Sequence, residues 1–79
     1  MNRATALRQQ TPTIDELTLS ERRVLKLIAE QRTSREIADI LYISIHTVER
    51  HRENICTKLQ VHGSNALLRF ALENREQLL

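Results

Sequence analysis

The chain has 79 residues, 41% of them hydrophobic, with twelve Lys and Arg against ten Asp and Glu for a formal charge of +2. That length holds one small domain and excludes the deep pocket of a typical enzyme. One Gly, one Pro and only two aromatic residues, Tyr42 and Phe70, exclude a turn-rich β fold. What remains for the core is Leu, Ile, Val and Ala, a mixture that suits helices. The mild excess of positive charge permits a nucleic-acid partner without demanding one, so the placement of the charges must decide. The single Cys56 excludes an internal disulfide framework and a Cys-rich metal site, and a reducing, cytoplasmic setting is expected.

Residues 1–16 are polar, contain Pro12 and end in Asp15-Glu16. They read as a flexible N-terminal tail or interdomain linker, with a short helical turn allowed in "ATALRQQ"; the folded domain is expected over 17–79. No continuous apolar stretch marks a secretory signal, and no run approaches the ~18 apolar residues of a membrane span.

From Leu17 onward helix signals follow closely. "TLSE", Thr18 to Glu21, is a capping box in which the Thr hydroxyl and the Glu carboxylate each take the other residue's backbone N–H. Val24, Leu25 and Ile28 continue it as an apolar stripe, giving a first helix over about 18–31. "TSRE", Thr33 to Glu36, is a second capping box and opens a short helix over about 33–42, with Ile37, Ala38 and Leu41 inward. Ser44 caps a third helix over about 44–61, ended at Gly63 by a residue able to turn left-handed. Ser64 or Asn65 caps a fourth helix over about 64–74, with Leu67, Leu68, Ala71 and Leu72 inward. The expected fold is therefore all-α, a four-helix compact domain. Only about three residues join the second and third helices, which forces them to pack at a sharp angle in a helix-turn-helix.

On a wheel of 100° per residue, Val48, Ile55 and Leu59 of the third helix share one line, flanked by Ile45 and Cys56. His46, Arg50, Glu53 and Thr57 lie opposite, with Glu49 and Gln60 on one shoulder. Thr47, His51, Asn54 and Lys58 form a column along one flank. Arg52 falls near the buried line and is expected to lay its stem along the core edge. A bland reading treats the run "ERHRE" as plain solvation, with i,i+3 pairs worth a few tenths of a kcal/mol each. The helix-turn-helix context favours a sharper one. The second helix of such a pair enters the major groove, where polar side chains meet base edges and flanking groups meet phosphates.

The segments "LTLSERRVLKLIAE", "TSREIADIL", "ISIHTVERHRENICTKLQV" and "LLRFA" follow one another as in the LuxR/FixJ-type (GerE-type) DNA-binding domain. The resemblance runs from Leu17 to about Leu72 and includes NarL-like response-regulator effector domains. It implies a bacterial transcription regulator that binds double-stranded DNA, with the third helix as recognition helix. It further implies a homodimer through the fourth helix and RNA polymerase as a partner. The family's base-reading positions fall on Glu49, Arg50 and Glu53, with Arg50 the expected bidentate contact to guanine. Phosphate contacts fall on Arg35, Thr47, His51 and Lys58, and Leu67 and Phe70 are dimer-surface candidates. The sequence departs from the family where Gln31 replaces a usual Gly, so that another C-terminal turn is needed. It departs again where Glu49 and Glu53 stand at positions often basic or polar, and where Ser64 stands near a frequent Arg.

Other chemistries find little support in the residues. His46, His51 and His62 lack a compact ligand spacing, so no metal is expected. No Gly-rich phosphate loop or nucleophile turn is present, so neither an enzyme nor a cofactor is expected. The rival reading is a protein-interaction module of the same fold that has lost DNA affinity, with Glu49 and Glu53 facing a protein.

Overall fold

Three of the four helices begin on a side-chain hydroxyl, and those caps set the architecture. The computed structural model describes residues 13–78. Helix α1 spans Leu19–Ala29, α2 Ser34–Leu41, α3 Ile45–Leu59 and α4 Ser64–Glu73. Single 3-10 turns, Ile14–Glu16 and Arg75–Leu78, flank them, and among the described residues there is no strand. Both capping boxes form. The Thr18 hydroxyl accepts from the Glu21 N–H at 3.1 Å, and the Glu21 carboxylate accepts from the Thr18 N–H at 2.9 Å. Thr33 and Glu36 repeat the exchange at 3.1 and 3.0 Å. Ser44 accepts from the Thr47 N–H at 3.0 Å. Each such cap satisfies an N–H that the helix leaves free, at about 1 kcal/mol.

The first three helices also end alike. Gln31, Tyr42 and Gln60 all take positive φ, at 64°, 58° and 58°. In each case the next residue's N–H reaches back five residues: Arg32 to the Leu27 carbonyl, Ile43 to Ala38, Val61 to Cys56. This is the Schellman closure, normally built on glycine. The turn required at Gln31 is thus the ordinary left-handed one, made by a residue with a side chain. Left-handed backbone costs a non-glycine residue about 1–2 kcal/mol, part of which glycine returns through its freer unfolded state. Gln31→Gly is accordingly expected to raise the unfolding free energy by about 0.5–1 kcal/mol, read as a higher denaturant midpoint at unchanged slope.

Four sequence expectations change. Gly63 does not close α3; Gln60 does, and Gly63 begins α4 with φ 89° and ψ 159°, a region open essentially to glycine alone. Neither Ser64 nor Asn65 caps α4, whose N-terminus has no side-chain cap. Ile14, counted with the tail, is buried in the core together with Leu17, so packed structure begins before residue 17. Leu72, expected inward, lies at the surface because α4 buries the Leu67–Ala71 line and Leu72 stands about one residue's rotation off it. The segment "ATALRQQ" lies outside the described residues.

The core gathers Val24, Leu25 and Ile28 from α1, Ile37 and Ala38 from α2, Val48, Ile55 and Leu59 from α3, and Leu67 and Ala71 from α4. Each fully buried Leu, Ile or Val contributes roughly 1.5–3 kcal/mol. Helix α3 packs on α1 and α2, and α1 also packs on α4 and the C-terminal turn that buries Leu78. Helix α3 is therefore gripped along one line only, and its opposite side faces solvent.

Candidate nucleic-acid interface

Val48, Ile55 and Leu59 recur at helical spacing and are all buried. That single stripe fixes the rotation of α3 about its own axis. With it fixed, His46, Glu49, Arg50, Glu53, Asn54 and Thr57 are exposed. The three residues expected to meet bases, Glu49, Arg50 and Glu53, thus lie together on the open side of one helix. Arg35, in the first turn of α2, is exposed as well. Cys56 and Arg52 are half-buried at the core edge, as their wheel positions suggest. Burial pushes the Cys56 thiol up from its ordinary value, and the Arg52 charge opposes that shift.

The expected phosphate flank is only partly free. Thr47 is half-buried, its hydroxyl 2.9 Å from that of Ser44. His51 is half-buried in a shallow cleft lined by Ser20, Arg23, Leu41 and Ile43. Lys58, read from sequence as a phosphate contact, sends its ammonium to the Glu21 carboxylate at 2.8 Å. The Glu21 side chain is 5% exposed and that of Lys58 36%. Burial pushes the Glu21 carboxyl up. The Lys58 and Thr18 hydrogen bonds and the Lys58 charge outweigh it and leave the carboxyl below its ordinary value. Lys58 is therefore first a structural cation, because a buried carboxylate needs a partner more than an exposed ammonium does.

Two features escaped the sequence reading. Arg23 is exposed and borders the same cleft as His51 and Ser20, setting a guanidinium without an ion pair among the described residues beside the flank that Lys58 was expected to serve. Its place in "SERRVL", one residue before the buried Val24, marks it as outward but not as a neighbour of α3. Ile45, assigned to the border of the buried stripe, is 43% exposed instead. It is the first residue of α3, beyond the reach of the core that holds Val48.

The dimer-surface candidates also change. Leu67 is 1% exposed and belongs to the core, and Phe70 is half-buried against it. The large apolar groups that α4 shows at its surface are Leu72 and, in part, Leu68 and Phe70. Among the described residues no group of three His, Cys, Asp or Glu side chains is placed to hold a metal ion. No helix among them is long and apolar enough to cross a membrane.

A short capped helix, a tight left-handed turn and a second helix with an open polar face together define a helix-turn-helix domain. The model of the family described as bacterial regulatory proteins, luxR family, matches residues 15–71, and the chain belongs to that family. It is 47% identical over 58 residues to the uncharacterized response regulatory protein YgeK of Escherichia coli, covering 73% of this chain and 40% of YgeK. It is 42% identical over 60 residues to the transcriptional regulatory protein MctR of Rhizobium johnstonii, covering 76% of this chain and 28% of MctR. To the oxygen regulatory protein NreC of Staphylococcus aureus it is 37% identical over 59 residues, 75% of this chain and 27% of NreC. The chain thus spans well under half the length of these relatives. No solved structure matches it.

Proposed function

We propose that this domain binds double-stranded DNA sequence-specifically as part of a bacterial transcription regulator, with α3 in the major groove. One observation carries the reading. The buried stripe of α3 turns Glu49, Arg50 and Glu53 outward on a single face, directly after a capped helix and a tight turn. Arg50 donates two hydrogen bonds to a guanine edge, and Glu49 and Glu53 accept from cytosine or adenine amino groups or orient Arg50. Arg35, Thr47 and His51 position the helix on the backbone, joined by Arg23 in the role first given to Lys58. One such module reads only a few base pairs, so a symmetric dimer on a two-fold related site is expected. With Leu67 in the core, Leu72 and the half-buried Leu68 and Phe70 are the large apolar groups of α4 left to meet a second copy.

The test is the salt dependence of binding to duplex DNA. Phosphate contacts release counterions, so affinity should fall steeply as salt rises. Arg35→Ala is expected to weaken all duplexes alike and to reduce the slope of log affinity against log salt by about one. A protein partner is favoured by the two carboxylates on the open face. That reading stands if duplex DNA binds no better at low salt than at high.

A further inference from the structure

We propose that Ile45 and Tyr42 form an apolar tip at the leading end of α3 that recognises the 5-methyl group of a thymine. The inference rests on the DNA-binding reading above and adds a base preference which that reading does not contain.

Exposure is the first argument. Tyr42 is 94% exposed and Ile45 43% exposed, with only Ile43 and Ser44 between them. Ile43 packs against the core and Ser44 caps α3, so the pair between is spoken for while Tyr42 and Ile45 are left in solvent. Backbone conformation is the second. Tyr42 sits at φ 58° and ψ 44°, where glycine is at ease and a bulky residue is not. A side chain with almost no contact inside the domain does nothing to offset that cost. The turn is held by backbone alone, the Tyr42 and Ile43 N–H groups both donating to the Ala38 carbonyl, so the ring is not needed to close it and is left in solvent for a contact outside the domain.

Position supplies the third argument. Ile45 is the first residue of α3 and lies one turn before Glu49, so it extends the reading face toward the helix N-terminus. In a helix-turn-helix that end of the second helix meets the base edges. The other exposed isoleucine, Ile40, belongs elsewhere, in a groove with Leu27 and Leu41 between Arg23 and Lys26. The chemistry then selects the base. An isoleucine neither donates nor accepts a hydrogen bond, and among the bases only thymine offers a methyl group in the major groove.

The experiment uses the full chain. A bound site is selected from random duplexes, and each thymine in it is replaced in turn by deoxyuridine, which lacks only the methyl. One replacement is expected to weaken wild type about fourfold, the worth of one buried methyl. The same replacement should leave Ile45→Ala binding unchanged. If the site contains no thymine, if no replacement weakens wild type, or if Ile45→Ala keeps the full methyl effect, the proposal is overturned and the DNA reading stands. Failure of wild type to bind any duplex overturns both. Tyr42→Gly supplies a second measurement, expected to raise the unfolding midpoint while lowering DNA affinity. A Tyr42→Gly protein that gains stability and binds as tightly as wild type removes Tyr42 from the tip.

Discussion

Lys58→Ala should lower the unfolding free energy by about 2–3 kcal/mol, a large share of the roughly 4–12 kcal/mol expected for a chain this size. The substitution takes the counter-charge from the Glu21 carboxylate, whose side chain is 5% exposed, and leaves it the Thr18 N–H. Stranding one member of a buried pair costs more than the pair itself contributes, and the partial exposure of Lys58 puts the loss below the upper end for such pairs. Glu21→Gln should cost less, about 1–2 kcal/mol, because the amide oxygen still accepts from the Thr18 N–H and Lys58 turns to water. Acid provides the matching test. The folded-state Glu21 carboxyl lies below its ordinary value, so its stabilisation is full above that value and is lost as pH falls through the folded one. Wild type should therefore lose stability on acidification in a step that Glu21→Gln lacks. Equal chemical-denaturation midpoints for wild type and Lys58→Ala at pH 7 would remove the pair from the stability of the domain.

Arg50→Ala should cost about 1–3 kcal/mol of binding free energy at one base pair and level the preference there. Its exposed position means that the thermal midpoint stays within the small range of surface changes. Site selection with wild type and variant in parallel reads both effects. Glu49→Gln and Glu53→Gln should act differently, raising affinity for all duplexes by removing repulsion from phosphates while blurring selection. Should Arg50→Ala bind the same site with the same affinity, Arg50 does not read a base.

The two capping boxes were legible because each is a local exchange between residues three apart, independent of the rest of the chain. The third helix's buried stripe was legible for a similar reason, since periodicity survives without knowledge of the partner helices. Gly63 misled because glycine is the commonest helix stop. The chain instead ends three helices on Gln31, Tyr42 and Gln60, and places its one glycine at a backbone conformation closed to other residues. Lys58 was legible only in part. Its flank position on α3 was correct, but its partner stands 37 residues earlier on α1, and no local pattern links the two. Ile45 shows the same limit in reverse: it has the angular position of a core residue, yet the core does not extend to the first turn of α3.

One carboxylate oxygen of Glu21 accepts both the Thr18 N–H and the Lys58 ammonium. The start of α1 and the last turn of α3 thus hang on the same atom. Fraying of α1 at Thr18 leaves that oxygen less firmly held for Lys58, and loss of Lys58 loosens the cap in turn. In amide hydrogen exchange the two regions should open as one unit, with the Glu21 and Thr18 amides exchanging alongside those near the end of α3. Helix α3 would then be steadied at its C-terminal end by the first turn of α1.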